Sequence, residues 1–356
     1  MLVIRPIRSS DLADLMDMAR DAGMGLTSLP PDEGVLSGKI KRSEQSFAQD
    51  VAPEHAKYFF AMEDLAANRC VGICGIEARV GLDEVWYNYR LSTSVNASRE
   101  LGVYVQNATL YLTNDMTNCS EICSLLLHRD WRKDGNGPFL SRARFLFLAD
   151  FADLFSDKIF AEMRGVSDEQ GNSPFWNSLG SRFFNMDFHR ADVLTGLGDK
   201  SFIAELMPKH PIYVPLLQPE AQEVIGRVHD HTRPALHMLE TEGFNFNGLV
   251  DIFDAGPVIE AFTRNIRCVR ESDKRYVMVS KQATRDPVPP EEQIMVSNRS
   301  FSDFRVITVP KDRVRTDTIS LTREEAEALA LASGDIVRFV ALKQKSSASQ
   351  RQRSTA

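Results

Sequence analysis

The chain has 356 residues, 43% of them apolar and 26% charged, a length and balance that suit a globular protein of about two packed units. A formal net charge of -7 argues against nucleic acid as the main partner, since such proteins carry a basic surplus. No apolar run approaches the roughly 18 residues of a membrane span, and the charged start MLVIRPIRSS lacks the apolar stretch of a signal peptide.

Five cysteines stand at Cys70, Cys74, Cys119, Cys123 and Cys268. An odd number without an export signal implies reduced thiols and a cytoplasmic location. The Cys-x3-Cys pair at Cys70 and Cys74 falls in a strand-like stretch and is read as packing. Cys119 and Cys123 are read the same way.

In chain order, LVIRPI (2–7) is rich in β-branched residues and reads as a strand. Ser10 then caps a helix over DLADLMDMAR, with Asp11 and Asp14 in its first turn. Residues 23–34 form a loop by composition, and VLSGKIKRSEQSFAQD a second helix. KYFFAMED and CVGICGIEARVG read as a strand pair, VYVQNATLYLT as another strand, and EICSLLLH as the strand before a glycine-rich turn. A helix from about Pro138 to Phe155 follows. Leu140, Ala143, Phe147, Phe151 and Leu154 recur at steps of three and four, so one apolar face is expected on a sheet.

KIFAEMRG is a strand. SPFWNSLG is a short helix with Ser173 as cap, Pro174 at its first position and Gly180 as terminator. A faint echo follows. IFAEMRG (159–165) resembles FIAELMP (202–208), and PFWNSLGSRFF (174–184) resembles ALHMLETEGFNF (235–246), each a strand and then a helix ending in Gly and Phe. Past about Thr263, KRYVMVS, FRVITVP, TISLT and DIVRFVAL read as short strands of a small β-rich unit over 263–344. Residues 345–356 read as a disordered polar tail.

The turn RDWRKDGNGP (129–138) lacks a Walker continuation, and Leu140 stands where a dinucleotide fingerprint needs its third glycine. It does match Arg/Gln-x-x-Gly-x-Gly/Ala, as Arg132, Lys133, Asp134, Gly135, Asn136 and Gly137. A bare Gly-x-Gly is explained by turn geometry alone. With the arginine, the spacing and the strand–helix frame, anion binding is the better reading. Glycines let backbone N–H groups approach an anion, and the helix start adds unpaired N–H groups and the positive end of its dipole.

That pattern resembles the coenzyme-A loop of the GNAT-type N-acyltransferases, and the element order fits. The likeness narrows further. GLTSLP (25–30), WYNYR (86–90), DWRKDGNG (130–137), AEMRG (161–165), SPFWNSLGSRFFNMDF (173–188), AELMPKHPIY (204–213), VIGRVH (224–229) and EGFNFNGLVDIFDAGP (242–257) resemble arginine N-succinyltransferase. The likeness is dense to about residue 260 and thin beyond.

The resemblance implies an α+β fold: a GNAT-like, mixed and mostly antiparallel sheet flanked by helices. An acyl-CoA domain over 1–200 would be followed by a partial second half over 201–262 and the β-rich unit over 263–344. The implied reaction moves a succinyl group from succinyl-CoA to the α-amine of L-arginine, without a metal. Gly135, Asn136 and Gly137 with Arg132 and Lys133 would anchor the coenzyme, and Leu125 would offer its backbone N–H to the thioester oxygen.

A lone histidine reads as structural, but the resemblance assigns proton transfer to His229, whose imidazole titrates near working pH. His231 makes a His-x-His, yet no cysteine or carboxylate completes a zinc set at suitable spacing. Arg90 and Arg164 are candidates for the carboxylates, and Glu162 and Glu205 for the guanidinium. No basic residue adjoins Cys123, so direct attack by the amine is favoured over an acyl-enzyme. The alternatives are ornithine as acceptor, or a role as partner subunit of a similar chain; either way a homo-oligomer or heteromer is expected.

Overall fold

The computed structural model describes residues 1–22, 28–168, 171–188, 190–191, 194, 201–280 and 288–343. β1 (Leu2–Pro6) is followed by α1 (Leu12–Ala22), α2 (Glu33–Phe47), β2 (Lys57–Asp64) and β3 (Arg69–Glu77). A long hairpin of β4 (Asn88–Ser98) and β5 (Val103–Thr113) precedes β6 (Ser120–Leu127), α3 (Asn136–Asp150) and β7 (Lys158–Glu162). The short helices α4 (Pro174–Ser178), α5 (Gly180–Phe184) and α6 (Ser201–Leu206) lead to β8 (Ile212–Tyr213), α7 (Pro219–Val224) and α8 (Arg233–Glu242). Then come β9 (Asn245–Val250), β10 (Pro257–Phe262), α9 (Arg267–Glu271), β11 (Asp273–Ser280), β12 (Gln293–Ser297) and β13 (Val306–Pro310). β14 (Thr318–Thr322), α10 (Arg323–Ala328) and β15 (Ile336–Ala341) complete the described chain.

All fifteen strands join one mixed sheet in the order β14-β11-β15-β12-β13-β1-β2-β3-β6-β7-β10-β9-β4-β5-β8. Only β6–β7 and β11–β14 pair in parallel, so the sheet is mostly antiparallel, as expected. The β-rich C-terminal strands continue the sheet through one antiparallel contact, Ile4 opposite Val306. Residues 201–262 add β8, β9 and β10 to the far side of that sheet. The expected tail at 345–356 and the first part of the 23–34 loop lie outside the described residues.

Several expectations need correction. FIAEL is helix, not strand: Ile203 and Met207, four apart, bury together in the cluster around Trp176 and Phe184. Ser10 is not the cap of the first helix. Ser9–Asp11 form a short helical turn in which the Asp11 carboxylate accepts from the Arg8 N–H at 2.8 Å. Gly180 does not terminate its helix but opens the next one. A Cβ there would stand 2.2 Å from the Trp176 ring, so the glycine serves close packing. Ser173 and Pro174 behave as expected, the serine hydroxyl accepting from the Trp176 N–H. QIMVS, not singled out in the sequence, is β12.

α3 differs most instructively. Every residue from Phe139 to Leu148 is buried, including Arg142 and Arg144, so no face is left to solvent along that stretch. One side packs on the sheet through Leu140 and Phe147 among Tyr58, Phe60 and Cys74. The C-terminal unit closes over it with Met295, Phe304, Val340 and Leu342. Phe147 alone meets the rings of Phe60, Phe301 and Phe304 at 5.2, 5.8 and 5.1 Å.

Of the buried charges of α3, Arg142 is answered by a carboxylate that it shares with Arg267. Glu242, fully buried at the end of α8, accepts from Arg142 Nε at 2.6 Å, from Arg267 Nη2 at 2.8 Å and from the Cys268 N–H at 3.0 Å. The two guanidiniums also hold the carbonyls of Leu342 and Ala341 at the end of β15. Removing one member of such a cluster strands the others' charge without water, which costs about 3–5 kcal/mol. Glu242→Gln, nearly isosteric, is therefore expected to lower the unfolding free energy from denaturant titration by an amount in that range; an unchanged value would show that the cluster is held by shape alone.

Candidate active site

The site begins where a strand leaves its neighbour. β6 pairs with β7 only at Ser120 and Glu121, so residues 122–127 have no β7 partner. On the other edge the β3–β6 register shifts between Ile73 and Gly75, a bulge centred on Ser124, which holds φ at 55°. The carbonyls of Gly75 and Cys123, cross-strand partners at one end of this bulge, accept from Arg144 Nη1 at 3.1 and 3.2 Å. Arg144 also bonds the backbone carbonyl and hydroxyl of Ser141 within α3, and burial lowers its pKa from the usual arginine value. Leu125 follows the bulge directly, half-buried against the core.

The glycine loop links that strand to α3. Arg132 Nε donates to the Leu127 carbonyl at 2.9 Å, tying the loop to the end of β6. Asp134 and Gly135 both have left-handed backbone, φ 52° and 82°. Asn136 Nδ2 donates to the Trp131 carbonyl at 3.0 Å. The two glycines have different reasons. A Cβ on Gly135 would meet Pro290 at 2.8 Å, so both its conformation and its neighbour demand glycine. A Cβ on Gly137 would meet nothing within 4 Å. Nothing described in the protein requires a glycine there, and the space above it lies at the N-terminus of a helix.

A second feature lies beyond the end of β7. A cavity of about 1050 Å³ is lined by Ala22 from the end of α1, by Arg164, Ser167 and Asp168, and by Arg227, His229, His231 and Arg233. The His229 N–H donates to the Arg164 carbonyl at 2.9 Å, and Gly165 bridges to Val228. These bonds splice the histidine segment onto the chain leaving β7. Arg164 Nη2 donates to Ser167 Oγ at 2.7 Å. Burial, then the charges of Arg164 and His231, lower the His229 pKa below the ordinary histidine value; Asp230 and the Ser167 carbonyl oppose them.

His229 Nδ1 accepts from the His231 N–H at 3.2 Å, and the two rings meet edge-on at 4.9 Å. His128 repeats this pattern at the end of β6, accepting from the Asp130 N–H at 3.3 Å with Trp131 edge-on at 5.0 Å. Both cap a short helical turn. Capping geometry thus does not set the two histidines apart; the cavity and the adjacent Arg164 do.

Of the sequence candidates, His229 and Arg164 come together. Arg90 does not join them: its guanidinium bonds Asp115 at 2.6 Å and the Asn247 carbonyl at 3.3 Å. Glu162 accepts from Trp86 Nε1 and Asn88 Nδ2 at 3.1 and 2.8 Å, and Glu205 is exposed on α6; neither lines the cavity. Asp168, Arg227 and Asp230 line it without having been singled out, although Arg227 lies within the quoted VIGRVH. Arg144 and Ser124 were also missed. A basic residue inside an apolar helix was the available signal for Arg144, and a left-handed serine in a strand leaves none.

Glu77, Glu121 and Cys123 converge within 4.8 Å on β3 and β6. Lys57 Nζ sits 2.9 Å from Glu77, and burial followed by the two glutamates raises the Cys123 thiol pKa, leaving it protonated and a poor nucleophile or ligand.

The family model described as arginine N-succinyltransferase beta subunit matches residues 2–268, and that of its C-terminal domain matches residues 275–341. An arginine N-succinyltransferase of Yersinia pseudotuberculosis is 47% identical over 344 residues, covering 96% of this chain and 98% of its own. One from Escherichia coli is 49% identical over 343 residues, with the same coverage of both. The solved arginine/ornithine succinyltransferase subunit AI of Pseudomonas aeruginosa superimposes with a TM-score of 0.87 at 36% identity, over 97% of this chain and 99% of that one.

The two loop glycines should separate in solution. Gly135→Ala is expected to destabilise the fold by about 1–3 kcal/mol, from the left-handed backbone alone. Gly137→Ala is expected to leave the melting temperature unchanged while weakening coenzyme A about tenfold or more, the loss of a charge-assisted bond or two. Calorimetry of both variants with and without coenzyme A reads the difference.

Proposed function

The chain belongs to the arginine N-succinyltransferase family, and on that footing we propose that it transfers the succinyl group of succinyl-CoA to the α-amino group of L-arginine, giving N2-succinyl-L-arginine and coenzyme A. The observation that supports this reading most directly is the meeting of His229 with Arg164 in one cavity just beyond β7, the strand from which β6 parts. The glycine loop at Arg132, Lys133, Gly135, Asn136 and Gly137 anchors the pyrophosphate. The thioester lies along the open edge of β6, where the Leu125 N–H meets its oxygen and stabilises the negative charge that develops there.

The neutral amine attacks the thioester carbon. The C–N bond forms, the C–S bond breaks, and the amine's proton ends on the thiolate. His229 carries that proton. A lowered pKa keeps the ring neutral near pH 7, as a base requires. Its Nδ1 lone pair already accepts the His231 N–H, so the ring takes the proton only when that 3.2 Å bond is released. Arg164 pairs a substrate carboxylate, and Asp168 and Asp230 supply carboxylates in the cavity for the guanidinium. Arg90 and Glu162 stay with their structural partners. With its protonated thiol, Cys123 fits direct attack rather than an acyl-enzyme.

Ornithine is a second acceptor to weigh, because the solved relative is named for both amino acids. Thiol release from succinyl-CoA by the purified chain, with arginine, ornithine or lysine supplied in turn and acetyl-CoA as control donor, decides between them. Arginine with succinyl-CoA is expected to be fastest. Faster release with ornithine would change the acceptor, and silence with every pair would mean that the chain needs a partner subunit.

His229→Ala is expected to lower kcat by about 10²–10⁴. The acid limb of kcat/KM should fall below the ordinary histidine value of about 6.5. Arg164→Gln removes a positive neighbour, so the limb should move to higher pH; a limb that stays in place would separate Arg164 from the titrating group.

A further inference from the structure

The β4–β5 hairpin is far longer than its support. β9 pairs β4 only at Tyr89 and Arg90, and β8 pairs β5 only at Thr109 and Leu110. β4 and β5 remain in register with each other out to Ser98 opposite Val103. Among the described residues, 91–108 therefore form a two-stranded arm with no further strand on either edge. An isolated two-stranded hairpin is marginal in water, and arms of this kind are usually covered.

Its composition is that of buried sheet. β4 alternates Leu91, Thr93, Val95, Ala97 on one face with Ser92, Ser94, Asn96, Ser98 on the other. Leu91 and Leu110, at the base of the first face, pack in the cluster around Trp176, so that face runs outward from the core. β5 is apolar on both faces at its outer end: Val103, Tyr104 and Val105 are 45%, 65% and 44% exposed in succession. A strand apolar on both sides belongs inside a sheet, not at a free edge. From Leu91 to Thr113 the only charges are Arg99 and Glu100 at the turn, and there is no proline or lysine. The devices by which edge strands of monomers avoid pairing are missing.

We propose that β5 of one chain pairs antiparallel with β5 of a second copy along residues 103–107, about a two-fold axis that sets Val105 opposite its own copy. A two-fold contact brings the same stretch against itself, and this stretch carries no charge to repel its own copy. The six large apolar side chains Val95, Leu101, Val103, Tyr104, Val105 and Tyr111 expose on the order of 600 Å² between them, most of the roughly 800 Å² per partner of a standard interface. The contact is independent of the reaction proposed above.

Light scattering and sedimentation of the full chain at micromolar concentration provide the test. The wild type is expected at twice the 40.0 kDa of one chain, or a higher even multiple. Val105→Glu sets two carboxylates directly across the axis, and Tyr104→Glu places a charge on either side of it opposite Gln106; each should halve that mass. Both residues are exposed in the single chain, so circular dichroism and melting should show the variants folded. Tyr276→Glu, equally exposed on β11, should leave the mass unchanged. Val105→Cys, oxidised under native conditions, should give a covalent dimer on a non-reducing gel. A wild type that stays at 40.0 kDa overturns the proposal and leaves the arm for a different partner. A multimer that survives both glutamate variants, with no cross-link through Val105→Cys, places its interface elsewhere and also overturns it.

Discussion

Glu242 is the charge around which the molecule is arranged. It lies fully buried between Arg142 of α3 and Arg267 of α9, at the end of the helix that follows the His229 turn. The same guanidiniums hold the last carbonyls of β15. One carboxylate therefore fixes the loop helix, the histidine segment and the C-terminal strands relative to one another. At the other end of α3, Asp150 takes Arg299 and Arg338 from the C-terminal unit. Buried ion clusters contribute little net stability over well-packed apolar side chains, but they tolerate no slippage. We read this one as setting register among segments distant in sequence.

With α3 held in place, β6 can depart from regular pairing. A strand that leaves part of an edge unpaired exposes backbone carbonyls that are destabilising when buried without a partner. Arg144 resolves the conflict from within the helix, bonding Gly75 and Cys123 where the Ser124 bulge breaks the ladder. Its recorded bonds go to carbonyls and a hydroxyl rather than to a carboxylate, so it satisfies the bulge without forming an ion pair. The C-terminal unit takes part as well: Pro290 lies against Gly135, so the loop's shape depends on a residue far along the chain.

The two histidines place one local arrangement in two different surroundings. His128 and His229 adopt one local arrangement, each capping a turn with Nδ1 on a backbone N–H two residues on. Only His229 opens on the large cavity, beside Arg164, which helps lower its pKa. The difference lies in what surrounds the turn, not in the turn.

Most strands and the long helices were legible, because alternation and steps of three and four report directly on which side is buried. The strand-to-helix turn at the glycine loop was legible too, since its spacing is local; the meeting of His229 with Arg164 in one cavity was not, since they stand on separate segments. Arg90 and Glu162 stand in the same family-like blocks as Arg164, but their partners Asp115, Trp86 and Asn88 can be found only once separate strands are side by side. α3 was read as one-faced because its sequence cannot report a second layer contributed by residues 295–342. FIAEL was read as a strand because a short apolar run has no period of its own. The sequence by itself determined most of the local elements, the glycine turn before α3 and the family. Tertiary structure alone decided which charges meet, where β6 is left open and what covers α3, because each of these depends on contacts between segments that lie from about twenty to two hundred residues apart.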